Sequence, residues 1–238
     1  MLKCSSVSVS FGGLKAVDDV SFNVKKNEIL GMIGPNGAGK TTLFNAICGD
    51  VRNAGGEIIF EGKSLSNLTK DLRCRQGIAR TFQIPQLFEN LSVRENVLIG
   101  ALCKESQMSE ALAVTERVLR SVKIEKLADL YPDVLTIGQR KSLELARALA
   151  TQPDLILLDE IMGGLHVNEV EETVALLKEI RQQGVTVFLI EHVISAVVSL
   201  CDRVVVMNQG KLIAEGTAAE VMSDHEVIDA YLGREDDA

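Results

Sequence analysis

The chain has 238 residues, with 33 acidic against 25 basic side chains and a formal net charge of −8 at pH 7. Hydrophobic residues at 46% supply a sizeable core, charged residues at 24% exclude disorder as the dominant state, and the length suits one core with an appended lobe. The acidic balance disfavours a general nucleic-acid binder.

In chain order, residues 7–11 alternate, and residues 17–24 put Val20, Phe22 and Val24 on one face, the pattern of strands. Residues 28–34 form a short apolar run ending in glycine, and residues 42–48 read as a helix. Residues 58–63 read as a hairpin strand closing in a turn, so an early antiparallel sheet precedes or flanks the first crossover helix. From about residue 87 to 150 apolar residues recur at spacings of three and four, as at Leu112, Val114, Val118, Leu119 and Val122, which predicts a helical lobe. Tyr131-Pro132 punctuates it, and a strong helix runs over 136–150. A buried-type strand follows over 154–159, then an amphipathic helix over 167–183 with Gly184 as its C-cap. A strand over 185–190, a short helix over 193–200 and a hairpin around Asn208-Gln209-Gly210 come next. The last stretch is helical through Tyr231, with 234–238 expected to fray. Strands alternating with helices imply an α/β protein with a largely parallel sheet.

No stretch reaches the roughly 18 apolar residues of a bilayer span. The opening Met1-Leu2-Lys3-Cys4-Ser5 lacks a signal-peptide core, which predicts a cytosolic protein. A mean hydropathy of +0.16 predicts some apolar surface turned to a partner. Cys4, Cys48, Cys74, Cys103 and Cys201 are odd in number and scattered, the pattern of reduced, mostly buried thiols rather than a disulfide or zinc framework. His166, His192 and His225 are too scattered to suggest a metal site.

Gly34-Pro35-Asn36-Gly37-Ala38-Gly39-Lys40-Thr41 fits G-x-x-x-x-G-K-S/T without a mismatch, between a strand and the helix that Thr42 opens. Glycines let main-chain N–H groups surround phosphate oxygens, and the helix presents its positive N-terminus to them. Lys40 is placed for the β- and γ-phosphates and the Thr41 hydroxyl for Mg²⁺. A metal-side carboxylate is available in Leu155-Ile156-Leu157-Leu158-Asp159-Glu160, where a buried strand ends in two acids. Asp159 is placed to hold Mg²⁺ and Glu160 to polarise an attacking water. Taken alone, the two acids read equally well as caps of the next helix; the phosphate loop favours the catalytic reading.

Between these motifs stands Leu135-Thr136-Ile137-Gly138-Gln139, just ahead of a helix. It resembles the signature motif of ATP-binding cassette (ABC) ATPases. Gln83 in Arg80-Thr81-Phe82-Gln83, His192 after Phe188-Leu189-Ile190-Glu191, and Phe11 before Gly12-Gly13 match further features of that family in order and spacing, over about residues 3 to 233. The strings Phe11-Gly12-Gly13-Leu14-Lys15-Ala16-Val17, Arg80-Thr81-Phe82-Gln83 and Ala230-Tyr231-Leu232-Gly233 are similar to one subgroup, the ATP-binding subunits of branched-chain (hydrophobic) amino-acid importers.

The resemblance implies a P-loop NTPase core with a mostly parallel central sheet, an antiparallel β subdomain and an inserted helical subdomain. The core comprises residues 1–85 and 151–238, and the inserted subdomain, carrying the signature, residues 86–150. It implies ATP and Mg²⁺ bound between two cassettes facing head to tail, each lending its Thr136, Gly138 and Gln139 to the other's γ-phosphate. Phe11 would stack on adenine, His192 would contact the γ-phosphate, and Gln83 would sense Mg²⁺ and water. The groove around Gln83 and on to Glu95 would receive a helix of a separate membrane permease. The cassette would thus sit on the inner face of the cell membrane, with a solute-binding protein in the wider complex.

Outside the resemblance, Phe11 can be read simply as a core aromatic, Gln83 reads as a solvated loop residue and His192 reads better as a core histidine. His166 and His225 read as surface residues. Arg140 and Lys141 read as the exposed face of a helix rather than a phosphate patch. Ile137, Ile161 and His166 depart from the glycine, proline and aspartate usual in the family, and the helical lobe is shorter than is typical of the subgroup. A soluble ABC ATPase acting on nucleic acid or ribosomes, a regulatory module without turnover, and an exporter ATPase are the competing readings.

Overall fold

The computed structural model describes residues 1–51 and 54–232; the expected fraying of 234–238, and Gly233 in the closing string, lie outside them. The chain opens with a long hairpin, β1 (Leu2–Phe11) and β2 (Leu14–Val24). The buried residues of β1 are Leu2 and Cys4, then Val7 and Val9, and those of β2 are Val17, then Val20, Phe22 and Val24. Each strand changes parity once. Ser6 at φ 50° and Asp19 at φ 55° make left-handed bulges where the register shifts, so one extra residue moves the apolar set back to the same face. That bulge hides the first half of β1 from a period-two reading.

β3 (Ile29–Ile33) leads through the glycine-rich loop into α1 (Lys40–Cys48). β4 (Ala54–Phe60) and β5 (Lys63–Ser64) complete an antiparallel sheet ordered β2-β1-β4-β5. The short α2 (Lys70–Arg75) has no counterpart in the sequence reading. Its buried Arg73 donates to Ala46 O and Ile47 O at 2.7 Å each, at the last turn of α1 where the helix runs out of main-chain donors.

β6 (Ile78–Arg80), β7 (Leu155–Asp159), β8 (Thr186–Ile190), β9 (Arg203–Asn208) and β10 (Lys211–Gly216) join β3 in a six-stranded sheet ordered β10-β9-β3-β8-β7-β6. Its strands are parallel except for the β9–β10 hairpin. Successive residues of these strands feed opposite cores. Leu30, Met32, Leu157 and Phe188 pack with α1 and the antiparallel sheet, and Phe188 sits 4.7 Å from the Phe44 ring and 5.4 Å from Phe22. Ile29, Ile156, Leu158 and Leu189 pack on the other face against α6 (Val167–Gln182) and α7 (Ile194–Leu200). α8 (Ala218–Met222) and α9 (His225–Leu232) close the chain over Ile33 and Val206. On α6 the cap itself is Gln183, with Gly184 next at φ 95°.

The segment after β6 is irregular until Ser92, whose hydroxyl caps α3 (Val93–Ala101). Fully buried Asn96 holds that segment, donating to Phe88 O, Leu91 O and Ser92 O at 3.0 Å each. α3, α4 (Met108–Ser121) and α5 (Ile137–Ala150) share a separate core around Val97, Val118, Leu119 and Leu143. Leu112 is exposed, contrary to the periodic reading. Ala111 and Thr115 occupy the buried stripe instead, the Thr115 hydroxyl donating to Ala111 O at 2.8 Å so that a polar residue is accepted there. Among the described residues no helix is long and apolar enough to cross a membrane, and the five cysteines are free, with Cys4 and Cys48 buried.

Candidate active site

β3, β7 and β8 run parallel, so the loop after β3 and the acids ending β7 come to the same edge of the sheet, where ligands of open α/β sheets bind. In the loop Gly39 has φ 100°, and a Cβ there would lie 2.1 Å from Ala16 O; only glycine fits. Ala38 N donates to Pro35 O at 3.2 Å and Gly210 N to Ala38 O at 3.0 Å, which ties the loop to the β9–β10 turn. Asn36, Gly37 and Thr41 are exposed, while Gly34, Pro35 and Thr42 are half-buried. Lys40 is buried and donates to Gly34 O at 2.7 Å and Pro35 O at 2.9 Å. Burial lowers its pKa, and the carboxylates of Glu160 and Asp159 oppose that shift. The hydroxyl of Tyr231, on α9, faces the Gly34 main chain.

Asp159 is 2% exposed and its Oδ1 has no hydrogen-bond partner. Its Oδ2 lies 3.7 Å from an Arg80 nitrogen. Burial raises its pKa, with Arg80 pulling the other way. Thr81, also buried, accepts from Asp159 N at 3.3 Å.

Gln83, Glu160 and His192 come together. Gln83 Nε2 donates to Glu160 Oε2 at 2.6 Å, and His192 Nε2 lies 3.3 Å from the same oxygen. The His192 side chain is 51% exposed, so it is no core histidine, and Gln83 is no free loop residue. Phe11, at 56% exposure on the tip of the first hairpin, is no core aromatic.

Thr136 caps α5, its hydroxyl accepting from Gln139 N at 3.3 Å while Thr136 N donates to Gln139 Oε1 at 3.0 Å. Gly138 lies against Glu169, where a Cβ would meet Oε1 at 2.6 Å. No hydrogen bond among the described residues joins Thr136, Gly138 or Gln139 to the 34–42 loop of the same chain. Ile137 is the first residue of α5, 63% exposed and without a positive φ, so this position makes no demand for glycine. Ile161 is buried in the core beneath α6, and His166 is exposed, its N–H donating to Glu169 Oε2 at 2.8 Å. His225 is exposed as well.

Lys141 corrects the reading of Arg140 and Lys141 as an exposed face. It is 8% exposed and donates to Glu160 O at 2.9 Å and Gly163 O at 2.6 Å. Arg140 is partly exposed but pairs with Glu89 and donates to Pro132 O at 2.7 Å. Position 141 is one turn before buried Leu145 and two before Ala148, so helical spacing alone puts this lysine on the apolar stripe. Arg80 and Glu191 stand in the quoted strings without a role of their own and Glu144 stands in none, yet all three are charged residues near the site.

Beside the cluster, Phe82 and Ile99 line a cavity of about 430 Å³ between core and lobe, and Ile84, Phe88 and Leu102 are further exposed apolar residues of the same stretch of chain.

Residues 17–163 match the family model described as ABC transporter, and residues 211–237 match that of the branched-chain amino acid ATP-binding cassette transporter. The chain is 36% identical over 249 residues to the high-affinity branched-chain amino acid transport ATP-binding protein BraF of Pseudomonas aeruginosa, covering 98% of each. It is 33% identical to the lipopolysaccharide export system ATP-binding protein LptB of Haemophilus influenzae, covering 99% of this chain and 98% of that one. A nucleotide-free ATP-binding cassette from an ABC transporter superposes with a TM-score of 0.89 at 33% identity, over 98% of this chain and 99% of that one. The loop, the paired acids and the cap of α5 thus stand in a chain that belongs to the family of ABC transporter ATP-binding proteins.

Proposed function

We propose that this ABC ATPase energises import of branched-chain or other amino acids through separate permease subunits. The match over residues 211–237 carries the importer assignment. Its catalytic core is Glu160 as general base, with Gln83 and His192, both against its Oε2, orienting the attacking water. Residues 34–42 and Lys40 cradle the phosphates, and Phe11, exposed at the hairpin tip, stacks on adenine.

Buried Asp159, with an oxygen lacking any partner, together with the exposed Thr41 hydroxyl and the Gln83 amide, fits a hard cation that takes oxygen ligands. Mg²⁺ held there supplies charge neutralisation for the β- and γ-phosphates. Lys40 meanwhile exchanges its bonds to Gly34 O and Pro35 O for phosphate oxygens, a stronger acceptor for a buried ammonium.

A second cassette, the same chain or another, presents its Thr136, Gly138 and Gln139 to the γ-phosphate. The apolar patch from Phe82 to Leu102 is the docking face for a permease helix, which keeps the cassette on the inner face of the membrane. A solute-binding protein completes the complex. Nucleic acid is not a partner, in line with the net charge of −8.

Glu160→Gln should bind ATP while turnover falls by about 10² or more, measured by phosphate release. Turnover near the parent rate would remove Glu160 from the mechanism. The similarity to LptB favours a second reading, an exporter with the same ATP chemistry. Mild-detergent co-purification from native membranes separates the two by the permease recovered. Recovery of ribosomes or soluble proteins alone would instead support the non-transport reading.

A further inference from the structure

Glu160 has φ 52°, a left-handed conformation that a glutamate keeps only where its surroundings over-determine it. Glu160 N donates to Ile190 O at 3.0 Å, and Met162 N donates to buried Glu191 Oε1 at 2.7 Å. Those restraints come from the end of β8. Within the loop Gly163 N donates to Glu160 O at 3.2 Å, and from the helical lobe Lys141 Nζ donates to Glu160 O at 2.9 Å and to Gly163 O at 2.6 Å, closing the loop like a staple.

One turn along the same face of α5, buried Glu144 does the complementary task. Its Oε2 accepts from Phe82 N at 3.1 Å and its Oε1 from Gln86 N at 2.9 Å, which brackets Gln83 on both sides. The two gripped loops meet where Gln83 Nε2 donates to Glu160 Oε2 at 2.6 Å.

Burying an ammonium and a carboxylate side by side on a helix stripe otherwise filled by Leu145 and Ala148 is costly unless their hydrogen bonds are needed. A methionine and a leucine would fill the same space without that cost. We infer that Lys141 and Glu144 are positioning residues for ATP hydrolysis, a clamp that holds Glu160 and Gln83 in reacting geometry and ties both to the helix whose N-terminus carries Thr136, Gly138 and Gln139. The inference rests on Glu160 as general base. Any displacement of α5 then moves base and glutamine together, so the end of the helix facing one nucleotide is mechanically joined to the base acting on the other.

The test compares K141M, K141R, E144Q and E160Q in the full-length chain, by Mg-ATP hydrolysis, binding of a fluorescent ATP analogue and thermal unfolding. K141M is expected to lower kcat by about tenfold to a hundredfold, the penalty of a misplaced reacting group, with KM and analogue affinity within about threefold of the parent. K141R keeps a long donor and is expected to recover most of kcat. E144Q sets an amide N–H against a main-chain N–H and is expected to give the same split of kcat from KM. A K141M kcat within about twofold of the parent overturns the clamp. So does a loss of kcat that Arg fails to rescue and that falls in step with affinity and melting temperature. If E160Q still turns over, the base assignment fails and the inference with it; an inactive E160Q beside an intact K141M overturns the inference alone.

Discussion

Arg80 stands where three structures meet. Its guanidinium lies 3.7 Å from Asp159, donates to Asn45 Oδ1 at 2.7 Å and Asp50 Oδ2 at 3.0 Å, and covers the Phe82 ring at 4.2 Å from the centroid. Asp159 is almost wholly buried, and this cation is the first of the charges that favour its ionised form. Removing the cation takes away the largest of the charges that favour the ionised carboxylate, ahead of Lys40 and His192. Arg80→Met should therefore cost about 2 kcal/mol in urea unfolding of the nucleotide-free chain. Adding Asp159→Asn should return a good part of that loss, because the penalty resides in the stranded charge. A single-variant loss below about 0.5 kcal/mol would show that Arg80 serves Asn45 and Asp50 instead.

At the scale of elements, α5 is the part on which the site hangs. Its cap is reciprocal, and the Thr136 hydroxyl accepts from Gln139 N while keeping its own hydrogen free to donate outward. Thr136→Ala should cost about 1 kcal/mol of stability, and Thr136→Ser almost none, by thermal or urea unfolding. An alanine variant as stable as the parent would mean that the long 3.3 Å bond carries no cap energy. The helix also explains what can be read from the residues and what cannot. The phosphate loop and the paired acids Asp159 and Glu160 are readable because phosphate chemistry calls for particular residue types at particular separations, whereas Gln83 and His192 stand out only through the family resemblance. Strands β7 and β8 are readable because a strand buried on both faces leaves an unbroken apolar run. Bulges at Ser6 and Asp19 break the alternation that would announce β1 and β2 in full. α2 is too short for a period to register, and its buried Arg73 looks like a surface residue until its four carbonyl partners, Leu65, Leu68, Ala46 and Ile47, are seen. Lys141 and Glu144 escape for the same reason. A charged residue on an apolar stripe is intelligible only through partners from distant segments.

Across the whole molecule, the charges that serve the site set how stability depends on pH. Burial is the first cause raising the pKa of Asp159, Glu144 and Glu191 in the folded chain. An acid whose folded pKa is raised binds more protons folded than unfolded, so stability falls as pH climbs from about 4, the unfolded value, through the folded one. Asp18, Asp71, Glu95 and Glu220 have their pKa lowered, chiefly by hydrogen bonds, so their contribution is lost as pH falls below the usual carboxylate range. Lys40 and Lys141, lowered mainly by burial, regain stability only on the alkaline side, between their folded values and about 10.4. The nucleotide-free chain should accordingly melt highest at mildly acidic pH, lose stability toward neutral pH and fall off again in stronger acid. Melting curves across that range test this directly, and a melting temperature that climbs steadily from mild acid to neutrality would contradict it. With Mg²⁺ at Asp159 and phosphates at Lys40 as proposed, Mg-ATP should flatten the neutral side, because they would offset the charges that burial penalises. A chain that buries charge at its sheet edge gives up stability there, and a bound nucleotide that pairs those charges should return it.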